Sequence, residues 1–236
     1  MRNERVLIVG GGSGMGLALA RRLLGAGAEV HIAGRSARRL AGAVRELGDP
    51  GKLTTSVVDI GDEDGVRALV AAERDHVVVT AVEAVGSYYP IRDFPLADAR
   101  KVLATKVLGP WLVAKHAKLR AGGSITFTSG VAAYRPGPGS SVLATANGAL
   151  EALVRTLAVE LAPIRVNVVS PGWVDTGIWD VLAGAAKNER LAAMAAKLPA
   201  GRVGRPQDIA AAFEAVMTNG FLTGETLHVD GGHRLV

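Results

Sequence analysis

A glycine-dense stretch, Gly10-Gly11-Gly12-Ser13-Gly14-Met15-Gly16, follows directly on the apolar run 6–9 and leads into a segment rich in leucine, alanine and arginine. Glycines in that setting let a chain turn sharply, bring its backbone up to a pyrophosphate and seat a helix closely on a strand. The free N–H groups at the start of the helix then attract phosphate. Gly10, Ser13, Gly14, Met15 and Gly16 are therefore candidate dinucleotide-binding residues. A second basic spot follows the apolar run 29–33, where Gly34 precedes Arg35 and Ser36, with Arg38 and Arg39 just beyond. A planar guanidinium suits a phosphate monoester held by charge-assisted hydrogen bonds. The plainer alternative is a set of arginines decorating the start of a helix.

The elements that must position these residues can be read from periodicity. Apolar, β-branched runs that look like buried parallel strands recur at 6–9, 29–33, 53–58, 76–80, 124–128, 165–169 and 226–229. Segments of helical spacing lie between them at 16–24, 37–47, 62–72, 96–119, 142–161, 181–198 and 206–217. Such alternation requires right-handed crossovers that lay helices on both faces of a mostly parallel sheet. The expected fold is α/β, a doubly wound Rossmann-type sheet of about seven strands with ligands at the carboxyl ends of the strands. At 236 residues and 49% hydrophobic, with no linker or repeat, residues 1–236 read as one domain.

Composition narrows the function classes. The chain has no cysteine, which removes disulfides, thiolate metal sites and a cysteine nucleophile, and no metal ligand set is expected. The basic N-terminus turns apolar but is crowded with glycine and soon meets Arg21 and Arg22, so neither a signal peptide nor a membrane span is expected and the cytoplasm is the default. The net charge of +5 comes from lysines and arginines scattered through helical segments, with only 4% aromatic residues to stack bases. That pattern favours a solvated basic surface over a nucleic-acid stripe.

The spacing Gly10, Gly14, Gly16 resembles the short-chain dehydrogenase/reductase family, and the resemblance extends along nearly the whole chain. It implies a nicotinamide dinucleotide as cofactor. Gly34 stands where NAD-preferring members carry an acidic residue, so no carboxylate occupies that position, and NADP(H) is expected over NAD(H) with Arg35 and Ser36 at the 2′-phosphate. Within Val58-Asp59-Ile60 the resemblance implies that Asp59 and Ile60 bind adenine, although a helix cap by Asp59 is the competing account. Ala81 lies in the cofactor-side loop Thr80-Ala81-Val82-Glu83, which departs from the family's two asparagines, alanine and glycine. In Ser170-Pro171-Gly172-Trp173-Val174-Asp175-Thr176, similar to the family's nicotinamide loop, Pro171, Gly172, Val174 and Thr176 are implied cofactor contacts. The stretches 201–209 and 222–232 also resemble family signatures, and the resemblance implies a homo-oligomer, tetramer or dimer.

The resemblance fails at the catalytic positions. The family works with asparagine, serine, tyrosine and lysine. Here Lys106 takes the asparagine place, Gly130 the serine place with Ser129 one residue early, Leu143 the tyrosine place and Asn147 the lysine place. Leucine has no ionisable group, so the usual proton donor is missing, a form of help typically worth about 10²–10⁴-fold. Lys106 and Asn147 read as an exchanged polar pair, and Lys106, Ser129 and Asn147 are the candidate catalytic residues. A lysine beside a nicotinamide could bind an anion, polarise a carbonyl or donate a proton; otherwise Lys106 sits on a solvated helix face. Tyr88, Tyr89 and Tyr134 are possible displaced donors, while His116 is expected on the surface. The segment 177–200 reads as a substrate lid whose Ile178, Trp179, Val181 and Leu182 form an apolar wall around an unknown small molecule. Three functions stay open: an NADP(H)-dependent oxidoreductase with a non-standard site, a non-catalytic NADP(H)-binding sensor or partner subunit, and a non-redox enzyme on the same scaffold.

Overall fold

The computed structural model describes residues 1–48, 51–83, 86 and 88–236. Seven parallel strands form one sheet in the order β3-β2-β1-β4-β5-β6-β7. They are β1 Arg5–Val9, β2 Glu29–Gly34, β3 Leu53–Val57, β4 Arg74–Val79, β5 Leu119–Thr128, β6 Arg165–Pro171 and β7 Thr226–Val229. Around them run helices α1 Gly14–Gly25, α2 Ala37–Leu47, α3 Glu63–Leu69, α4 Leu96–Leu103, α5 Gly109–His116, α6 Ser141–Glu160, α7 Ile178–Leu182, α8 Lys187–Ala195 and α9 Pro206–Thr218. The expected doubly wound α/β fold is the one observed.

Strand side chains alternate between two cores, as a period of two demands. Val6 and Ile8 of β1 join Leu19, Leu23, Ile209 and Phe213 of α1 and α9 on one face. Leu7 and Val9 join Val66, Val113, Leu150 and Val154 of α3, α5 and α6 on the other. Each such buried side chain contributes about 1.5–3 kcal/mol. Among the described helices only α6 is long and apolar enough to cross a membrane. Its apolar side, Ala146, Leu150, Val154 and Leu157, is buried in the protein.

Register brings the strand ends to a common edge: Val9 pairs with Ala33 and Val79, and Val79 with Phe127. Threonine hydroxyls lace that edge sideways, Thr80 Oγ1 donating to Val9 O at 3.3 Å and Thr128 Oγ1 to Val79 O at 2.8 Å. At the opposite end of β6, the buried Arg165 guanidinium donates to the carbonyls of Val216, Met217 and Asn219, closing the last turn of α9. A cation there satisfies carbonyls that a helix end leaves open.

The expected helix 96–119 is shorter and broken. It ends at His116, β5 already begins at Leu119, and residues Ala104–Leu108 form a wider π turn between α4 and α5. Pro110 supplies the reason, because it has no N–H to give the carbonyl of Lys106 and its ring would crowd that carbonyl in a regular helix. The expected helix 181–198 is likewise divided into α7 and α8 around a short turn at Gly184–Ala186. His116 is not a free surface histidine: its ring, largely buried, meets Glu63 Oε1 at 2.8 Å.

Replacing Arg165 by methionine keeps the bulk but strands several buried carbonyls. We expect Arg165→Met to lower the unfolding free energy by about 2–4 kcal/mol in urea titration. A change below about 0.5 kcal/mol would show that water satisfies those carbonyls equally well.

Candidate functional site

At the edge where the strands end, two adjoining cavities open. The first, of about 820 Å³, is lined by Gly10, Ser13, Gly14, Met15 and Gly16, by Arg35, Ser36, Arg38 and Arg39, and by Val58, Ile60, Ala81 and Thr176. The second, of about 880 Å³, is lined by Lys106, Ser129, Leu143, Asn147, Pro171, Gly172 and Val174, among others. Met15, Thr80, Val82, Thr176, Ile178 and Val181 border both, so the two form one continuous crevice.

The floor of the first cavity depends on backbone contacts that leave no room for side chains. A Cβ on Gly16 would lie 2.5 Å from the carbonyl oxygen of Gly10, and one on Gly10, whose φ is +94°, would lie 2.6 Å from Thr80 Oγ1. Of the expected adenine-side residues, Ile60 lines the cavity, but Asp59 is exposed and does not. Asp59 Oδ1 accepts from Gly61 N at 2.9 Å, closing a local turn, and the cap of α3 is Asp62, whose carboxylate accepts from Gly65 N. Ser36 caps α2 by accepting from Arg39 N at 3.2 Å. Although position 34 carries no carboxylate, the spot is not free of one: Arg35 Nη1 donates to Glu83 Oε2 at 2.8 Å. Sequence reasoning missed Glu83, because only the fold brings the segment after β4 across β1 to the end of β2.

The second cavity brings together Lys106, Ser129 and Asn147. The π turn places Lys106 inward and buried, at 4% exposure, rather than on a solvated face. Its Nζ donates to Thr128 O at 2.7 Å and to Ser129 O at 3.2 Å, the carbonyls where β5 ends. Burial pushes the Lys106 ammonium down to about 8, against which the Glu151 carboxylate works in the opposite direction. Asn147 Nδ2 donates to the next carbonyl, Gly130 O, at 3.2 Å, and its buried Oδ1 has no partner among the described residues.

Ser129 borders the cavity, yet its hydroxyl turns away to donate to Glu151 Oε1 at 2.8 Å. The second oxygen of Glu151 accepts from the Tyr134 hydroxyl, whose pKa is raised to about 12 by lost hydration and by that bond. Tyr134 also packs edge-on against His228 and does not line the cavity, whereas Tyr88 and Tyr89 do. Glu151 was the other residue that sequence reasoning passed over. It lies four positions after Asn147 on α6, hence on the same helix face.

The segment 177–200 borders the far side. Ile178, Trp179, Val181 and Leu182 all line the second cavity, as expected. Trp179 Nε1 donates to Val174 O at 2.9 Å and its ring lies 4.2 Å from that of Trp173. Lys187 pins the segment to Asp175 and Asp180.

A sheet whose order reverses between β1 and β4, with a glycine turn at that crevice, defines a doubly wound nucleotide-binding domain. Comparison with known proteins gives the family. The family model described as enoyl-(acyl carrier protein) reductase matches residues 10–234. The short-chain dehydrogenase/reductase ATR9 of Stachybotrys chlorohalonatus is 32% identical over 98% of this chain and 97% of its own. The solved structure of MalC reductase/Diels-Alderase from Malbranchea aurantiaca has a TM-score of 0.91 at 32% identity and covers 100% of this chain and 98% of that one. A small-chain dehydrogenase solved in complex with NADPH has a TM-score of 0.86 at 32% identity, covering 99% of this chain and 100% of that one. The chain belongs to the short-chain dehydrogenase/reductase family.

The buried ammonium makes stability depend on pH. In the unfolded chain Lys106 titrates near 10.5, in the folded protein near 8. Between those values the unfolded state binds more protons, so stability rises with pH. Relative to Lys106→Met, the unfolding free energy of the unmodified protein should increase by up to about 3 kcal/mol from pH 8 to 10.5. A pH-independent difference in denaturant titrations across that range would contradict the burial of a charged Lys106.

Proposed function

We propose that this chain is an NADP(H)-dependent oxidoreductase that reduces a small carbonyl compound, or oxidises the corresponding alcohol, through a site in which Lys106 replaces the family's tyrosine. The observation that carries the reading is the Lys106 ammonium. It has three N–H donors, two are spent on the carbonyls of Thr128 and Ser129, and the third is left for the cavity that the side chain borders. A proton given from Nζ to a carbonyl oxygen would leave a neutral amine whose two remaining N–H groups still match those carbonyls. Acids of this kind work best with a pKa near the working pH.

The cleft fits a dinucleotide. Gly10, Ser13, Gly14, Met15 and Gly16 would cradle the pyrophosphate, Arg35 and Ser36 the 2′-phosphate, and Ile60 and Ala81 the adenosine. Asp59 Oδ1 is used by the turn to Gly61, which leaves Oδ2 to accept from the adenine amine. Pro171, Gly172, Val174 and Thr176 border the crevice further along, beside Lys106. NADP(H), when bound, supplies or takes the hydride. NADPH in the small-chain dehydrogenase of similar structure supports the choice of cofactor over NAD(H). Asn147 Oδ1, buried and without a donor among the described residues, is suited to accept from a hydroxyl of cofactor or substrate.

A second reading is non-redox chemistry in the same cavity. It is favoured by the similarity to a protein described as a reductase/Diels-Alderase and by a wall in which Leu143 joins Trp173, Trp179 and Ile178. Exposed apolar side chains on α5, α6 and the turn before α5, Trp111, Val159 and Leu108, support a homo-oligomer, tetramer or dimer.

A panel of carbonyl and alcohol compounds followed by nicotinamide absorbance and by product analysis tests the reading. Reduction should fall above about pH 8 as Lys106 loses its proton. Lys106→Met should lower kcat and kcat/KM together by about 10²-fold or more with NADP(H) affinity nearly unchanged. Unaltered kinetics would remove Lys106 from the chemistry, and product without absorbance change would favour the non-redox reading. Separately, Arg35→Ala should remove most of the preference for NADP(H), and equal affinity of the unmodified protein for both cofactors would sink the assignment of Arg35.

A further inference from the structure

An ion pair stands at the edge of the first cavity. Arg35 and Glu83 meet at 2.8 Å, the arginine half exposed and the glutamate largely buried, and both border the cavity with Ser36, Arg38 and Arg39. A dinucleotide with a 2′-phosphate needs the Arg35 guanidinium, whereas one with a 2′-hydroxyl does not. The bond to Glu83 uses one of the guanidinium N–H groups, so a 2′-phosphate either draws Arg35 away from the carboxylate or binds its other N–H groups and rests beside that like charge. Carboxylate and phosphate oxygens both accept from the edges of a guanidinium, so the carboxylate reduces what Arg35 can offer a phosphate.

We propose that Glu83 is a specificity-determining residue that weakens binding of 2′-phosphorylated dinucleotides by holding Arg35, and so narrows the preference that Arg35 creates. The proposal rests on Arg35 being the reader of the 2′-phosphate. Glu83 extends from the end of β4, Arg35 follows β2, and β1 lies between them, paired to both strands. The carboxylate thus approaches from across the switch point, and a position at the end of β2 is not the only place from which an acid can act on the preference between the two cofactors. Because the arginine is half exposed, solvent screens the pair and the effect is graded rather than absolute.

Calorimetric titration of the cofactor-free protein with NADP⁺ and with NAD⁺ tests this in four proteins: unmodified, Glu83→Gln, Arg35→Ala and the double variant. Glutamine keeps the shape and removes the charge. Glu83→Gln should tighten NADP⁺ binding about tenfold and leave NAD⁺ within about twofold, the unchanged NAD⁺ value reporting an intact fold. In the Arg35→Ala background the same change should gain less than about threefold, since the carboxylate acts through the arginine. If Arg35→Ala abolishes the preference but Glu83→Gln leaves NADP⁺ affinity unchanged, lowers it, or raises both cofactors alike, Glu83 has no such role and the reading of Arg35 stands. An undiminished gain in the double variant also overturns the proposal. If Arg35→Ala leaves the preference as it was, or NADP⁺ does not bind the unmodified protein, the underlying assignment fails and this inference fails with it.

Discussion

The whole site depends on one constraint of the sheet: β1 must release the chain to one side and β4 to the other, so that a crevice opens between their carboxyl ends. The strand edge there is packed to the limit, with Gly16 against the carbonyl of Gly10 and Gly10 against Thr80. A methyl group at either glycine would push α1 off the sheet or β4 off β1. The closeness that excludes a Cβ also opens a backbone-walled groove at the start of α1, where unpaired N–H groups face outward. The threonine hydroxyls of the strand ends hold the edge level, so one crevice runs from Arg35 at one end to Lys106 at the other.

At the Lys106 end, the governing fact is a charge taken out of water. Removing an ammonium from solvent costs several kcal/mol unless hydrogen bonds replace the lost hydration. The Thr128 and Ser129 carbonyls supply part of that replacement, and Glu151 supplies an opposite charge at one remove. Glu151 is itself buried and is satisfied by the hydroxyls of Ser129 and Tyr134, which fixes the turn after β5 to α6. Lys106, the end of β5 and α6 therefore form one polar unit in which the position of each part is set by the others, so a half-satisfied version would cost more than an apolar replacement.

Most of the fold could be read from the sequence because parallel strands buried on both faces are continuous apolar runs, and turns and glycines mark their ends. The π turn was also announced, by Pro110 inside an otherwise helical pattern, but a residue count that ran through to Leu119 concealed it. What the sequence did not show were pairings made by tertiary contact. Glu83 and Arg35 are 48 residues apart, and only the adjacency of β1 to both β2 and β4 brings them together. Glu151 was closer to view, one helical turn beyond Asn147, yet nothing local distinguishes a buried acid from a solvated one on an amphipathic helix. Asp59, expected at the adenine, uses one carboxylate oxygen to close its own turn, a local bond that its place in the family pattern does not reveal.

The arrangement of Lys106 and Asn147 is best understood through the space around Gly130. A side chain there would bring its Cβ within 3.1 Å of Asn147 Nδ2, so the small residue at position 130 and the amide at 147 are fitted to one another. With the amide donating to Gly130 O, the carbonyls of Thr128, Ser129 and Gly130 are all occupied, two by Lys106 and one by Asn147. A lysine at 147 would add a second cation beside an edge whose acceptors are already used, and an asparagine at 106 would leave Glu151 without its nearby positive charge. A glycine at 130 leaves room for the amide of Asn147, and the π turn at 104–108 carries Lys106 into the same cavity. Leu143, one turn before Asn147, lines that cavity, and if Lys106 is the proton donor proposed above, the proton would come from the α4–α5 side and an apolar group at 143 would not interrupt its path.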